Sequence, residues 1–125
     1  MTLREKQSSF VWMLGSLLGQ FASNGDAVVI LEMYRSQETQ LQYVRRGVSK
    51  TLLSKHLQGL AVDIAFLSDI KDDGVINYDA EKYRPYGQFW ERLGGVWGGR
   101  FGDDPNTAKI EGWDLGHFEF RDPKK

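Results

Sequence analysis

Cysteine is absent from the 125 residues, and histidine occurs only twice. The first absence excludes disulfide staples, thiolate metal sites and a cysteine nucleophile. The second leaves two imidazoles and the carboxylates as donors for any metal, so the placement of His56 and His117 is easy to weigh. An excess of one charge is also lacking: 16 Lys and Arg face 17 Asp and Glu, a formal net charge of -1. That balance gives no general attraction to nucleic acid or anionic surfaces. Binding must come from a local site. No apolar run is long enough to span a bilayer as a helix, which argues against stable membrane insertion. What is present, 41% hydrophobic and 26% charged residues, is the balance of a globular protein. The length suits one domain over residues 1–125, with residues 121–125 as a frayed tail.

The N-terminal segment admits two readings. Arg4 and Lys6 precede an apolar run, Phe10 to Leu18, that resembles an export signal. Gly15, Ser16, Gly19 and Gln20 interrupt it, and Ala22-Ser23-Asn24 is a poor cleavage site. Phe10, Met13, Leu14, Leu17, Leu18 and Phe21 fall on one helix face, so residues 2–22 read as a core helix. Ser23-Asn24-Gly25-Asp26 then stops it. Ala27 to Tyr34 reads as a buried strand, and Ser36 caps a helix from Gln37 to Arg46 that Gly47 ends.

Residues 48–58 form a polar connection, and Gly59 permits a turn into a strand from Leu60 to Leu67. Leu60, Val62, Ile64 and Phe66 make one apolar face of it; Ala61, Asp63 and Ala65 make the other. Two small residues around one carboxylate suit the floor of a cleft. Ser68 to Asn77 is a polar loop with room for a short hairpin. Tyr78 to Leu93 reads as a helix disturbed at Pro85, ended by Gly94-Gly95, with Phe89 and Trp90 in the core. A glycine-rich stretch to Gly102, a loop from Asp103 to Glu111 and a last strand from Trp113 to Phe120 complete the chain. The pattern is α+β: a small antiparallel sheet with packed helices.

Three donors stand out as a metal site: His56, Asp63 and His117. Catalytic zinc uses three such protein ligands and leaves a position for water. Gly59 lets the chain bring His56 and Asp63 together, although a packed or surface role is open to each histidine. Asp114 precedes His117 by three residues, with Gly116 between them giving freedom to twist. A carboxylate there could serve as general base and then acid; the plain alternative is a surface Asp. Arg35, at a strand end, could hold an oxyanion or a substrate carboxylate. Trp97 and Trp113 could line a cleft or simply pack. Asp69, Asp72, Asp73, Asp103 and Asp104 match no calcium-loop pattern and read as solvated loops.

Several ordered elements together resemble one family: Tyr34-Arg35-Ser36 with Gln40, then Ser54-Lys55-His56-Leu57-Gln58-Gly59-Leu60-Ala61-Val62-Asp63, then Trp97-Gly98-Gly99, then Asp114-Leu115-Gly116-His117-Phe118-Glu119. They are similar to the M15 peptidases, which include D-alanyl-D-alanine carboxypeptidases and the L-alanyl-D-glutamate endopeptidases of phage lysins. The resemblance runs over nearly the whole chain. It implies a fold shared with hedgehog signalling domains and Zn2+ held by His56, Asp63 and His117. It also implies Asp114 as catalytic acid/base, Arg35 as stabiliser of the tetrahedral intermediate and Ser54 near the substrate-binding side; Gln40, which matches a family position, and Trp97 are further substrate-binding candidates. Many members carry Glu where this chain has Asp114, and the phage endopeptidases resemble it in using Asp. Glu111 is a weaker candidate for that role. The implied activity is hydrolysis of the peptidoglycan stem peptide by a monomer that waits in a host cytoplasm until release to the wall. The alternatives are a D-Ala-D-Ala carboxypeptidase, an exported bacterial enzyme, or a zinc-bearing binding module without catalysis.

Overall fold

The first helix, α1 (Leu3–Ser23), begins with a reciprocal cap: the Thr2 hydroxyl accepts from the Glu5 amide and the Glu5 carboxylate accepts from the Thr2 amide. Two otherwise orphaned amides are satisfied in this way. Its inward residues are Phe10, Leu14, Leu17 and Phe21, with Met13 and Leu18 packed at the margin. The face read from the sequence is the face that is buried. A computed structural model describes residues 1–47, 54–101 and 114–122. The expected loop from Asp103 to Glu111 and Trp113 therefore lie outside the described residues, as does most of the 48–58 connection.

Among the described residues, four antiparallel strands form one sheet in the order β1-β2-β4-β3: β1 (Val28–Glu32), β2 (Ala61–Phe66), β3 (Val96–Trp97) and β4 (His117–Glu119). The helices α2 (Gln37–Arg45) and α3 (Ala80–Arg92) complete the α+β architecture. Ser36 and Asp79 cap these two helices through their side chains, each satisfying an amide of the first turn. Pro85 lies within the first two turns of α3 and does not break it.

The core is aromatic. Phe21 stacks on Tyr86 with 3.8 Å between ring centroids, and Trp90 meets both Phe10 and Phe118 edge-on at 5.8 Å. Each fully buried large apolar side chain contributes roughly 1.5–3 kcal/mol. Helices α1 and α3 thus clamp the sheet from its apolar face, including Val62, Ile64 and Phe118.

Two sequence readings are corrected. The segment read as a buried strand is an edge strand, with Val29, Ile30 and Leu31 exposed. Its apolar composition describes a strand, but burial depends on which neighbours the topology supplies. The last strand is shorter than Trp113 to Phe120: residues 114–116 form a turn and the regular strand is His117–Glu119, with one further hydrogen bond at each end, from the Ile64 amide to the Gly116 carbonyl and from the Phe120 amide to the Leu60 carbonyl. The hairpin expected in Ser68–Asn77 is a single bridge between Ile70 and Ile76. There, Asp69 pairs with Lys82 at 2.5 Å and Asp73 accepts from the Val75 amide.

Candidate metal centre

Strand register assembles the site. Asp63 on β2 pairs with His117 on β4 and, on its other side, with Glu32 on β1. Directly opposed residues in an antiparallel sheet share a face, so these three side chains form a row. A register shift between Ile30 and Glu32 sets the acidic residue opposite Asp63; bulges commonly re-aim a side chain in this way.

His56 enters from a short 3₁₀ turn, Lys55–Gln58. The Ser54 hydroxyl caps that turn by accepting from the His56 amide, and Gly59 leaves it with φ 69°. This left-handed conformation is cheap only for glycine, so the expected turn between His56 and Asp63 is realised. The Arg35 amide donates to the His56 carbonyl, tying the turn to the end of β1.

The ligand atoms of His56, Asp63 and His117 all lie within 4.8 Å of one another. His56 Nε2 is 3.2 Å from Asp63 Oδ2, and His117 Nδ1 is 3.0 Å from Asp63 Oδ1. The outer nitrogens are also held. His56 Nδ1 lies 2.8 Å from the Met33 carbonyl oxygen, which can only accept, so Nδ1 donates there and Nε2 is the nitrogen turned toward Asp63. His117 Nε2 lies 2.8 Å from Glu119 Oε1. Fixed outer acceptors of this kind orient imidazole ligands and raise their basicity. Two imidazoles and one carboxylate with such support suit a divalent cation that takes nitrogen and oxygen donors.

Burial alone would push the Asp63 carboxyl up, but hydrogen bonds and charge from His117 and His56 hold it well below the usual carboxylate range. Burial opposes the charged form of His117, yet Asp63, Glu119 and Asp114 together raise it to about 9. Asp114 shifts the other way from Asp63: burial, with the Asp63 charge, raises it, against weaker pulls from His117, His56 and Arg35. Its carboxylate stands 3.8 Å from His117 Nδ1 and is partly exposed.

The turn carrying Asp114 is held from below. Its carbonyl accepts from the His117 amide, and the Trp97 indole donates to the Leu115 carbonyl at 2.8 Å. Trp97 is 0% exposed, so it packs beneath the site and does not line it, a correction to its place among the substrate-side residues. Gly98 lies against the same turn: a Cβ there would come 2.2 Å from the Asp114 carbonyl oxygen and 2.8 Å from His117 Cβ. Gly116 likewise meets the Ile64 carbonyl oxygen, at 2.3 Å from a notional Cβ. Its φ is not positive, so what it supplies is room, not the twist expected of it.

Arg35 sits on the β1 side. It donates to Glu32, to Gln40 at 2.6 Å and, more loosely, to Ser54 Oγ at 3.5 Å, while its guanidinium lies 4.6 Å from the Tyr43 ring centroid. Gln40 is buried, and its visible role is to hold Arg35. Glu32 and Glu119 are the residues the sequence reading passed over. Glu119 was findable, because i and i+2 on a strand share a face; Glu32 was not, because the bulge decides its direction.

The comparisons agree with this geometry. A family model described as D-alanyl-D-alanine carboxypeptidase, of the M15 peptidases, matches residues 47–120. The crystal structure of Serratia marcescens L-Ala D-Glu endopeptidase ChiX is similar at 28% identity, with TM-score 0.52, covering 77% of this chain and 68% of that one. LdcB, an LD-carboxypeptidase, gives TM-score 0.62 at 18% identity over 90% of this chain and 64% of that one. The vancomycin-resistance D,D-pentapeptidase VanY, solved with Zn(II), gives 0.57 at 20% identity over 89% and 70%. The last two support the fold. No curated protein matches the chain. With more than half its length matched, in a segment that carries all three donors and Asp114, the chain belongs to the M15 peptidases.

Proposed function

We propose that the protein is a zinc-dependent peptidase of peptidoglycan stem peptides, cutting between L-alanine and D-glutamate as a phage-type endolysin. The observation that carries this reading is the donor cluster of His56, Asp63 and His117 with a fourth, separately held carboxylate, Asp114, 3.8 Å from His117 Nδ1. Zinc held by the three donors supplies Lewis acidity toward the scissile carbonyl and acidifies water near neutral pH. Asp114 takes the proton of the attacking water and returns it to the leaving amine. Burial and the Asp63 charge, which raise its carboxyl, favour that uptake. Arg35, fixed by Glu32 and Gln40, places positive charge on the β1 side for the developing oxyanion. Ser54 holds the His56 turn from the same side.

Two features favour the endopeptidase: an Asp at the acid/base position, as in the phage branch, and the likeness to ChiX at 28% identity. The D-Ala-D-Ala carboxypeptidase reading is favoured by the description of the matched family model and by a similar structure, VanYB, solved with D-alanine-D-alanine. In this reading residues 1–125 act as one peptidase domain and as a monomer, held in a host cytoplasm until release to the wall. Chromatography after incubation of the zinc-loaded protein with two defined peptides tests it. One contains the L-Ala-D-Glu bond and the other ends in D-Ala-D-Ala. Cleavage of the first is expected. Cleavage of the second alone assigns the carboxypeptidase, and cleavage of neither overturns the proposal.

A further inference from the structure

Tyr78 packs on Gly116, in the turn that leads into β4, whereas Arg35 follows β1, the strand on the other side of β2. Tyr78 lies just before the Asp79 cap of α3. Its ring packs 5.7 Å from that of Tyr83 and lies against Gly116, whose notional Cβ would sit 3.4 Å from Tyr78 Cε1. Gly116 follows Asp114 by two residues and precedes His117, so the ring rests on the turn that presents both. The two tyrosines differ in their hydroxyls. Tyr83 is buried and its hydroxyl donates to the Ile64 carbonyl. Tyr78 is 46% exposed, and among the described residues its hydroxyl has no hydrogen-bond partner. Burial, with the charges of Asp63 and Asp114, pushes its pKa up.

We propose that Tyr78 is a further catalytic residue: its phenol donates a hydrogen bond to the carbonyl oxygen of the scissile peptide as that oxygen gains negative charge. The assignment rests on the peptidase function proposed above. A growing oxyanion close to Asp63 and Asp114 needs donors on more than one side. Arg35 is already engaged by Glu32 and Gln40, whereas a neutral O–H adds a donor without competing for the metal. A donor aimed where charge develops, in a site already organised, acts chiefly on the chemical step.

The test is Y78F, which keeps the ring and removes the hydroxyl. Three quantities are measured against wild type: kcat and KM on a peptide with the L-Ala-D-Glu bond, zinc per chain by mass spectrometry, and the affinity of a phosphinate analogue of that peptide by calorimetry. The expected result is a fall in kcat of roughly tenfold or more, KM within about twofold, unchanged zinc, and analogue affinity lowered by a factor similar to that in kcat. A Y78F protein matching wild type in kcat and analogue affinity overturns the assignment. So does a raised KM with kcat unchanged, which places the phenol on ground-state substrate, and so does loss of zinc. Failure of the wild type itself to cut the peptide is a different result, and it removes the peptidase reading on which the assignment stands.

Discussion

At the scale of single residues, each imidazole of the cluster has one nitrogen aimed at Asp63 and the other tied to a fixed acceptor, Met33 or Glu119. Glu119→Gln keeps an acceptor for His117 but removes its charge. It should weaken zinc affinity about 10- to 100-fold, measured by competition with a chromogenic chelator; wild-type affinity would deny Glu119 that role. His117 also gives a pH dependence. Raised from 6.5 to about 9 in the metal-free protein, its charged form stabilises the fold fully below its unfolded pKa, and this stabilisation is lost as pH rises through about 9. Zinc must displace that proton, so binding should release it and tighten as pH rises across the neutral range. Calorimetry in buffers of different ionisation enthalpy measures the release. Zinc binding without proton exchange would contradict it. Asp114→Asn should retain zinc and lose activity by about 100-fold or more, read from stoichiometry and kcat together. Part of this was legible: donor type made His56, Asp63, Asp114 and His117 candidates, and the resemblance to the M15 motifs, more than spacing, gave them roles. Glu32 was not, since no local pattern announces a bulge between Ile30 and Glu32.

At the scale of elements, short-range signals served best. The α1 face, the Ser36 cap and the Gly59 turn follow from residue spacing and backbone conformation, and all three appear where expected. The misreadings concern partners distant in sequence. An apolar strand gives no sign that it will lie at a sheet edge, and Trp97 gives no sign that its indole will hold the Leu115 carbonyl from the core. Gly98 marks where two elements close on each other, and its value is room. Gly98→Ala would press a methyl group against the Asp114 carbonyl. It should destabilise by about 1–3 kcal/mol and, by moving Asp114, lower kcat by more than tenfold, a geometric loss of the kind expected from about 1 Å of misplacement. Thermal unfolding and kinetics read these separately, and a variant equal to wild type in both would show that the turn has slack.

For the molecule as a whole, helices α1 and α3 and an aromatic core support a row of side chains that the sheet register brings together from three strands. Among the described residues no helix is long and apolar enough to cross a membrane. Because the donors come from separate strands and a turn, zinc should bind the folded chain far better than the unfolded one. Linkage then predicts that zinc at about 1,000 times its dissociation constant adds about 4 kcal/mol, seen as a rise in melting temperature that a chelator reverses and that His56→Ala abolishes.

The most direct test of the central claim is mass spectrometry of purified peptidoglycan digested by the zinc-loaded protein, with Asp114→Asn alongside. Stem peptides released by cleavage after L-alanine are expected from the wild type and not from the variant. Undigested peptidoglycan with zinc bound, or equal digestion by Asp114→Asn, would contradict it.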